Sequence, residues 1–276
     1  MEKEKNNRSS FSGKIGFVLS AAGASVGLGN IWRFPYLAAK YGGGIFLLIY
    51  ILLALTFGYT MIVAESALGR MTRKIVPYYS VIGGWVIKYF VEYLKGNGAK
   101  LAEDGYFSNF ISNGLSTEIC FIVFCMFTLI IIYAGVRNGI ERVSKFMMPI
   151  LVVLSVIIAI YSVTRPGALA GVRYFLVPNP KNFSWMTVVT AMGQMFYSLS
   201  IAMGILVTFG SYMKKDTSIE DSTRNVEVFD TAIAIMAGLM IIPAVFAFSG
   251  GDPDTLQAGP SLMFITIPKV FDSMGF

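Results

Sequence analysis

The residues best suited to hold a small ligand lie near the N-terminus, in the stretch Gly23–Pro35 with the sequence GASVGLGNIWRFP. This stretch interrupts an apolar segment with Gly27, Gly29, Asn30 and Arg33. Because glycine weakens a helix and a guanidinium inside a bilayer is costly, we expect a break in a membrane helix here. A break frees backbone N–H and C=O groups, which are tolerated at membrane depth only against protein or a water-filled cavity. The freed groups are therefore candidate ligands.

The two ends of this break predict two kinds of ligand. We expect the carbonyls of Gly23–Val26 to suit a cation and the N–H groups of Leu28–Asn30, which open the second half-helix, to suit a carboxylate. The alternative is a packing face, because Gly23 and Gly27 form a G-x-x-x-G pair, which more often marks close helix contact. The amide and the guanidinium that follow favour a binding site, since a packing face needs neither.

A second apolar segment carries a similar interruption at Gly193–Gly204, with the sequence GQMFYSLSIAMG. Gln194, Tyr197, Ser198 and Ser200 place polar groups in the middle of this helix, which predicts a second local break. Alternatively, the two serines bond back to carbonyls of their own helix, as is common in membranes. The glutamine amide has no such easy local solution and favours the break.

One acidic side chain, Asp230, precedes an uninterrupted apolar run and follows Glu227. A carboxylate inside a membrane span is costly unless a cation pairs with it, so Asp230 is a candidate functional residue. The alternative is an interfacial acid at the end of its helix, because the predicted helix boundary is uncertain by a few residues.

The composition predicts a membrane protein that is not an enzyme. Of 276 residues, 55% are hydrophobic and 14% are charged, which is too little polar surface for a soluble globule. The net charge of +6 comes from basic residues in short loops, so no nucleic-acid partner is predicted. The absence of histidine removes the commonest acid–base catalyst. Cys120 and Cys125 share one apolar run, which indicates neither a disulfide framework nor a metal site.

We predict seven apolar spans, each near the roughly 20 residues that cross hydrocarbon. They are Ile15–Leu37, Gly44–Gly69, Ile75–Leu94, Thr117–Gly135, Phe146–Val163, Trp185–Tyr212 and Val228–Gly250. If the spans alternate, most loop lysines and arginines fall on the side of the N-terminus, which predicts that this side is cytoplasmic. The chain then divides into a cytoplasmic segment (1–14), a transmembrane helical domain (15–250) and an extracellular segment (251–276).

Three segments together resemble the neurotransmitter:sodium symporter family, especially its bacterial amino-acid transporters. They are SAAGASVGLGNIWRFPYLAAKYGGGIFLLIY, ESALGR and GQMFYSLSIAMG. The resemblance covers nearly the whole chain, and the GLGNIWRFP block is highly specific. It implies an all-α, polytopic membrane fold built from part of an inverted repeat, with discontinuous first and sixth helices.

The resemblance also implies site residues by position. The amino-acid substrate would be bound by Ala24, Ser25, Gly27, Leu28, Gly29, Ile75, Tyr79, Tyr197, Ser198, Ser200 and Met203. Sodium ions would be bound by Gly23, Ser25, Val26, Asn30, Ser198 and Asp230. Gates would be formed by Arg8 and Phe11 on the inner side and by Arg33, Gln194 and Tyr197 on the outer side.

The implied activity is sodium-coupled symport of a neutral, hydrophobic amino acid across the cell (inner) membrane by alternating access, with no organic cofactor. Relatives that depend on chloride obtain from it a negative charge that Asp230 supplies here, so we expect chloride independence. The chain departs from the family pattern by ending after the seventh helix and by having a shortened third helix. These departures leave open a non-transporting membrane protein that binds or senses the amino acid, or a non-functional remnant.

Overall fold

A computed structural model describes residues 10–27, 29–72, 82–249, 264–265 and 267–273. Within these ranges the chain is helical, apart from one isolated antiparallel bridge between Gly43 and Pro178. The α-helices are α1 (Lys14–Ser25), α2 (Phe34–Lys40), α3 (Gly44–Leu53), α4 (Tyr59–Thr72), α5 (Ile82–Leu94), α6 (Gly98–Leu101), α7 (Tyr106–Ser112), α8 (Gly114–Tyr133), α9 (Arg142–Val163), α10 (Ala168–Leu176), α11 (Trp185–Ser198), α12 (Ile205–Ser211), α13 (Ile219–Ser249) and α14 (Ile267–Ser273). Short π-helical segments occupy Gly29–Arg33, Ala54–Gly58 and Val136–Glu141, and a 3-10 turn occupies Pro180–Asn182.

Several helices are long and apolar enough to cross a membrane. Among the described residues, four unbroken ones pass this test: Gly44–Met71, Gly114–Tyr133, Val136–Val163 and Ile219–Ala247. The bent pair of α1 with Gly29–Lys40 is a fifth candidate. The third predicted span is described only from Ile82 onward, as the 13-residue α5. The sixth predicted span consists of α11 and α12, which are separate and each too short to cross alone.

Two predicted spans begin earlier in the structure than hydropathy indicated. The fifth starts with the π-helical turn at Val136 instead of Phe146, and α13 starts at Ile219 instead of Val228. About two thirds of the added residues are polar or charged, and hydropathy assigns such stretches to loops. As a result, Asp230 lies inside a 31-residue helix and not at its end.

Both predicted discontinuities are present. The axis changes direction by 56° between α1 and Gly29–Lys40, after Val26 leaves the helical conformation with φ −69° and ψ 99°. Between α11 and α12 the chain takes a left-handed conformation at Ser200 and Ala202, with φ of 56° and 62°. The expected all-α fold with broken first and sixth helices is confirmed.

Close packing of α4 against α12 fixes the second break relative to the rest of the bundle. A Cβ atom at Gly69 would collide with the Val207 carbonyl oxygen, and one at Gly210 would collide with the Ser66 carbonyl oxygen. The two backbones therefore touch, as small residues allow at helix contacts in membranes. A side chain at either glycine would push α12 away from α4.

Candidate functional site

Asp230 is the centre of a buried polar cluster and is itself fully buried. Its Oδ1 accepts a hydrogen bond from Asn30 Nδ2 at 2.9 Å, and its Oδ2 accepts one from Ser198 Oγ at 2.7 Å. Asn30 Nδ2 also lies 3.2 Å from the Asp230 carbonyl oxygen. The first broken helix, the second broken helix and α13 therefore meet at one carboxylate.

The acids of this cluster form no ion pair with the lysines and arginines that the structure describes. Glu227, one turn before Asp230 on α13, is also buried, and its Oε1 accepts no hydrogen bond. In the described part of the chain, no lysine or arginine forms an ion pair with either acid. A buried carboxylate is strongly unfavourable without a compensating positive charge. The arrangement therefore suits a bound cation.

The hydrogen bonds at the first break depart from the helical pattern. The Gly27 N–H lies 3.4 Å from Asn30 Oδ1 and does not donate to the Gly23 carbonyl, as it would in a helix. The Gly27 carbonyl accepts from the N–H groups of Asn30 at 3.1 Å and Ile31 at 3.3 Å. Ser25 Oγ is buried without a hydrogen-bond partner. Of these residues, Ser25 lies in the stretch Gly23–Val26 whose carbonyls the sequence predicts to suit a cation, and that role stays a prediction.

The geometry bears on the alternatives that the sequence left open. A Cβ atom at Gly23 would lie 3.3 Å from Met148 Sδ, so this glycine packs closely against α9. Gly27 has no such contact, because its nearest neighbour would be 3.9 Å away, and the pair does not form one packing face. The Ser198 hydroxyl bonds to Asp230 and not to its own helix.

Glu65, an acid on α4, binds the backbone of the second break. The Ala202 N–H donates to Glu65 Oε1 at 2.6 Å, and the Ile201 N–H donates to the Phe196 carbonyl at 2.9 Å. Left-handed backbone at a non-glycine residue costs on the order of 1–3 kcal/mol. A charge-assisted hydrogen bond to Ala202 offsets part of that cost, so Glu65 positions the loop that follows Ser198.

The three residues expected at the outer gate lie together. The Arg33 guanidinium is 4.7 Å from the centre of the Tyr197 ring. Gln194 Nε2 donates to the Gly29 carbonyl at 2.9 Å. A Cβ atom at Gly29 would be 2.6 Å from Tyr197 Cδ1, so only glycine lets the ring approach this backbone. The two broken helices are thus in direct contact beside the cluster at Asp230.

Phe11, expected at the inner gate, packs against the end of α12. Its ring stacks on Phe209 with centroids 5.8 Å apart, and its N–H donates to the Tyr212 carbonyl at 3.3 Å. The adjacent Ser12 binds the buried carboxylate of Glu141 through both its N–H and its hydroxyl. The segment before α1 is therefore fastened to the end of the bundle where α12 finishes.

The remaining predicted residues fall into two groups. Ala24 and Val26 flank Ser25 at the end of α1, and Ser200 and Met203 lie in the connection between α11 and α12. The residues outside the described part of the chain are Arg8, Leu28, Ile75 and Tyr79. The roles that the resemblance implies for both groups stay predictions.

Sequence analysis missed two residues beside the site. Glu65 is an acid within an apolar span, the same signal that singled out Asp230, and could have been found. Tyr50 lies in a run of apolar residues and gave no signal. Its hydroxyl is fully buried and faces Ser198 and Thr231 without a hydrogen bond of standard geometry.

Comparison with known proteins identifies the family. A profile described as the sodium:neurotransmitter symporter family matches residues 8–94 and 106–276. This chain belongs to that family. The symporter family consists of transporters and not enzymes, so the expected family, membrane class and non-enzymatic nature of the chain are confirmed.

Relatives span bacteria, archaea and animals. An uncharacterised sodium-dependent transporter of Bacillus subtilis is 35% identical over 96% of this chain and 65% of its own length. One from Methanocaldococcus jannaschii is 28% identical over 98% of this chain and 63% of its own length. The human sodium- and chloride-dependent GABA transporter 2 is 26% identical over all of this chain and 58% of its own length. The symporter chain described here thus spans about two thirds of its bacterial relative's length.

A solved structure has the same arrangement of helices. The crystal structure of MhsT in complex with L-phenylalanine superposes with a TM-score of 0.83 at 34% identity. The superposition covers 97% of this chain and 67% of the MhsT chain. The partial transporter fold that the sequence predicted is therefore shared with a solved relative.

Proposed function

We propose that this symporter chain binds sodium and a neutral, hydrophobic amino acid side by side, and that their joint binding couples sodium entry to amino-acid uptake. The observation that carries the proposal is the Asp230 carboxylate, which Asn30 and Ser198 bind from two different broken helices. The protein would lie in the cell (inner) membrane with its N-terminus in the cytoplasm, as the distribution of basic loops suggests.

The hydrogen bonds at Asn30 leave its oxygen available for a cation. Asn30 Nδ2 donates to Asp230, and Asn30 Oδ1 accepts a long hydrogen bond from the Gly27 N–H at 3.4 Å, which leaves a second lone pair of this oxygen for a cation. Sodium bound there would use Asn30 Oδ1, the Ser25 carbonyl, Ser198 and Asp230. The carbonyls of Gly23 and Val26 would serve a second sodium.

The substrate carboxylate would meet the N–H groups of Gly27, Leu28 and Gly29, where the helix dipole favours an anion. Sodium and carboxylate then neutralise each other, so binding together avoids the desolvation that each would suffer alone. Two ligands that bind one conformation better than another shift the population toward it. This mutual dependence is the physical basis that we propose for coupling.

A hydrophobic substrate side chain fits the types of the residues that the resemblance assigns to the substrate pocket. Ala24, Ile75 and Met203 are apolar, and Tyr197 and Ser200 would bound the same pocket. Tyr79 would add a hydroxyl to the substrate carboxylate. The complex of MhsT with L-phenylalanine supports this choice, because MhsT has 34% identity and the same helix arrangement.

Uptake by purified protein in liposomes tests the proposal. Labelled phenylalanine, leucine and alanine would be supplied outside with an inward sodium gradient, and potassium would replace sodium in the control. We expect accumulation of phenylalanine or leucine that requires sodium. Sodium-dependent binding without accumulation would instead favour the alternative of a binding or sensing protein. If the protein shows no binding and no uptake of any of these amino acids, the proposed site is wrong.

A further inference from the structure

A cavity of about 570 Å³ opens at the C-terminal end of α4, away from the cluster at Asp230. Its lining residues are Ala67, Arg70, Met71, Lys215 and Ile219. Two of the five are cations and the other three are apolar. The cavity lies at the end of the bundle to which the N-terminal segment is fastened, because the neighbouring Lys214 donates to the Ser12 carbonyl at 3.1 Å.

The two cations of this cavity are not neutralised by the described part of the chain. Arg70 Nη1 donates to the Thr217 carbonyl at 2.8 Å, which uses one of five N–H donors and no acid. Lys215 is exposed and forms no ion pair with any described residue. Lys145, by contrast, pairs with Glu141 at 2.6 Å. The cavity therefore presents unpaired positive charge at a membrane surface.

An apolar stripe runs along the same membrane helix toward the end that carries the cavity. It is a ridge of residues at four-residue spacing on the helix Gly44–Met71, which winds gradually around the helix axis, and it consists of Leu48, Leu52, Thr56, Thr60, Ala64 and Leu68, all exposed. The hydroxyls of Thr56 and Thr60 donate to carbonyls of their own helix at 2.6 and 2.8 Å. These threonines thus present methyl groups outward, and the stripe offers no free donor to a polar partner.

The stripe matches a lipid in length. From Thr60 to Met71 the helix rises about 17 Å, at about 1.5 Å for each step between residues. One acyl chain spans half of a hydrocarbon core of about 30 Å, or about 15 Å. A chain that lies along this part of the stripe would place its headgroup beside Met71, which is 83% exposed at the mouth of the cavity.

We propose that this cavity binds one anionic phospholipid, with its phosphate between Arg70 and Lys215 and an acyl chain along the stripe. Basic pockets at the ends of membrane helices bind anionic headgroups in this way. A zwitterionic lipid carries its own cation, which would compete with the two side chains for the phosphate. The site is therefore selective for lipids with net negative charge, and it is independent of sodium and substrate.

Native mass spectrometry of the purified chain tests this site. The chain would be equilibrated with phosphatidylglycerol, or with phosphatidylcholine of the same acyl composition. We expect one phosphatidylglycerol to remain bound and phosphatidylcholine to bind at least fivefold more weakly. Lys215→Gln should weaken phosphatidylglycerol about fivefold, the ratio that about 1 kcal/mol per basic residue gives. The double variant Arg70→Gln and Lys215→Gln should weaken it about 25-fold.

Two matched controls make the result specific. Lys181→Gln removes an exposed lysine from the loop before α11 and should leave lipid binding unchanged. Arg70→Lys keeps the charge and should bind phosphatidylglycerol within about twofold of the unaltered chain. Equal retention of both lipids, or no change in Lys215→Gln, would overturn the proposal. Displacement of the lipid by inorganic phosphate would also overturn it, because the site would then recognise phosphate alone.

Discussion

Replacement of Asp230 by asparagine removes one negative charge while it keeps the shape of the site. The asparagine oxygen can still accept from Asn30 Nδ2, and the new amide can donate to Ser198 Oγ, which reverses the direction of a 2.7 Å hydrogen bond. The change therefore tests charge and not packing. We expect the protein without sodium to be at least as stable as the unaltered chain, because an uncompensated buried carboxylate is lost.

The loss of sodium affinity in this variant can be estimated from the electrostatic attraction between sodium and the carboxylate. A cation about 4 Å from a carboxylate, in an environment of effective dielectric constant about 20, gains about 4 kcal/mol. The amide oxygen recovers part of this as a neutral ligand, so we expect a net loss of about 2–3 kcal/mol. This corresponds to a sodium dissociation constant raised about 30- to 150-fold.

Thermal unfolding at increasing sodium concentration measures this change without requiring transport. Sodium bound only to the folded state stabilises it in proportion to the logarithm of its concentration, so a 100-fold weaker site loses about 2.7 kcal/mol at saturating sodium. Asp221→Asn, an exposed acid on the same helix that lies 3.9 Å from Lys14, is the matched control. If Asp230→Asn retains the full sodium-dependent stabilisation, then the proposed sodium site is wrong.

Three further predictions address the second break, the contact between the breaks and the anion requirement. Glu65→Gln should lower the free energy of unfolding by about 1–2 kcal/mol and weaken amino-acid binding, because the charge-assisted hydrogen bond to Ala202 is lost. Denaturant unfolding measures the first effect, and a binding assay with labelled amino acid measures the second. Gly29→Ala should cost about 1–3 kcal/mol by overpacking against Tyr197, and the additional change Tyr197→Leu should recover part of that loss. Replacing chloride by gluconate should leave sodium-dependent amino-acid binding by the unaltered chain unchanged. In the Asp230→Asn variant, the same binding should increase with chloride concentration. A chloride requirement in the unaltered chain would contradict the role given to Asp230.

The sequence was sufficient to predict those features of the site that depend on residue type inside an apolar run. Glycines, an amide and a cation within one membrane helix favour a break over a packing face, and this argument placed the first discontinuity. The second followed from Gln194 and its neighbours. Asp230 was found because an acid within hydrocarbon needs a partner. In each case a local cost indicated that some compensating contact must exist.

The identity of the compensating contacts could not be read from the sequence. The resemblance groups Asn30, Ser198 and Asp230 around sodium, but the residues alone do not indicate that Asn30 and Ser198 bind opposite oxygens of that carboxylate. The start of α13 was also missed, because the polar residues from Ile219 onward lower the hydropathy although they are helical. Tyr50 was missed because an aromatic residue in an apolar run is typical of a packed core. Nothing in the sequence indicates that its hydroxyl lies beside the polar cluster.

The two breaks share their hydrogen-bond partners, because residues of both bind the same carboxylate. The Asn30 amide needs an acceptor that its own helix does not supply. Ser198, the last residue of α11, carries a hydroxyl that would be costly to leave without a hydrogen bond in hydrocarbon. Asp230 satisfies both, yet it adds a charge that neither neutral group can balance. Both side-chain oxygens of Asp230 therefore accept hydrogen bonds, while no described lysine or arginine forms an ion pair with this carboxylate. Under the proposed function, sodium supplies the missing positive charge, and its entry links the two broken helices.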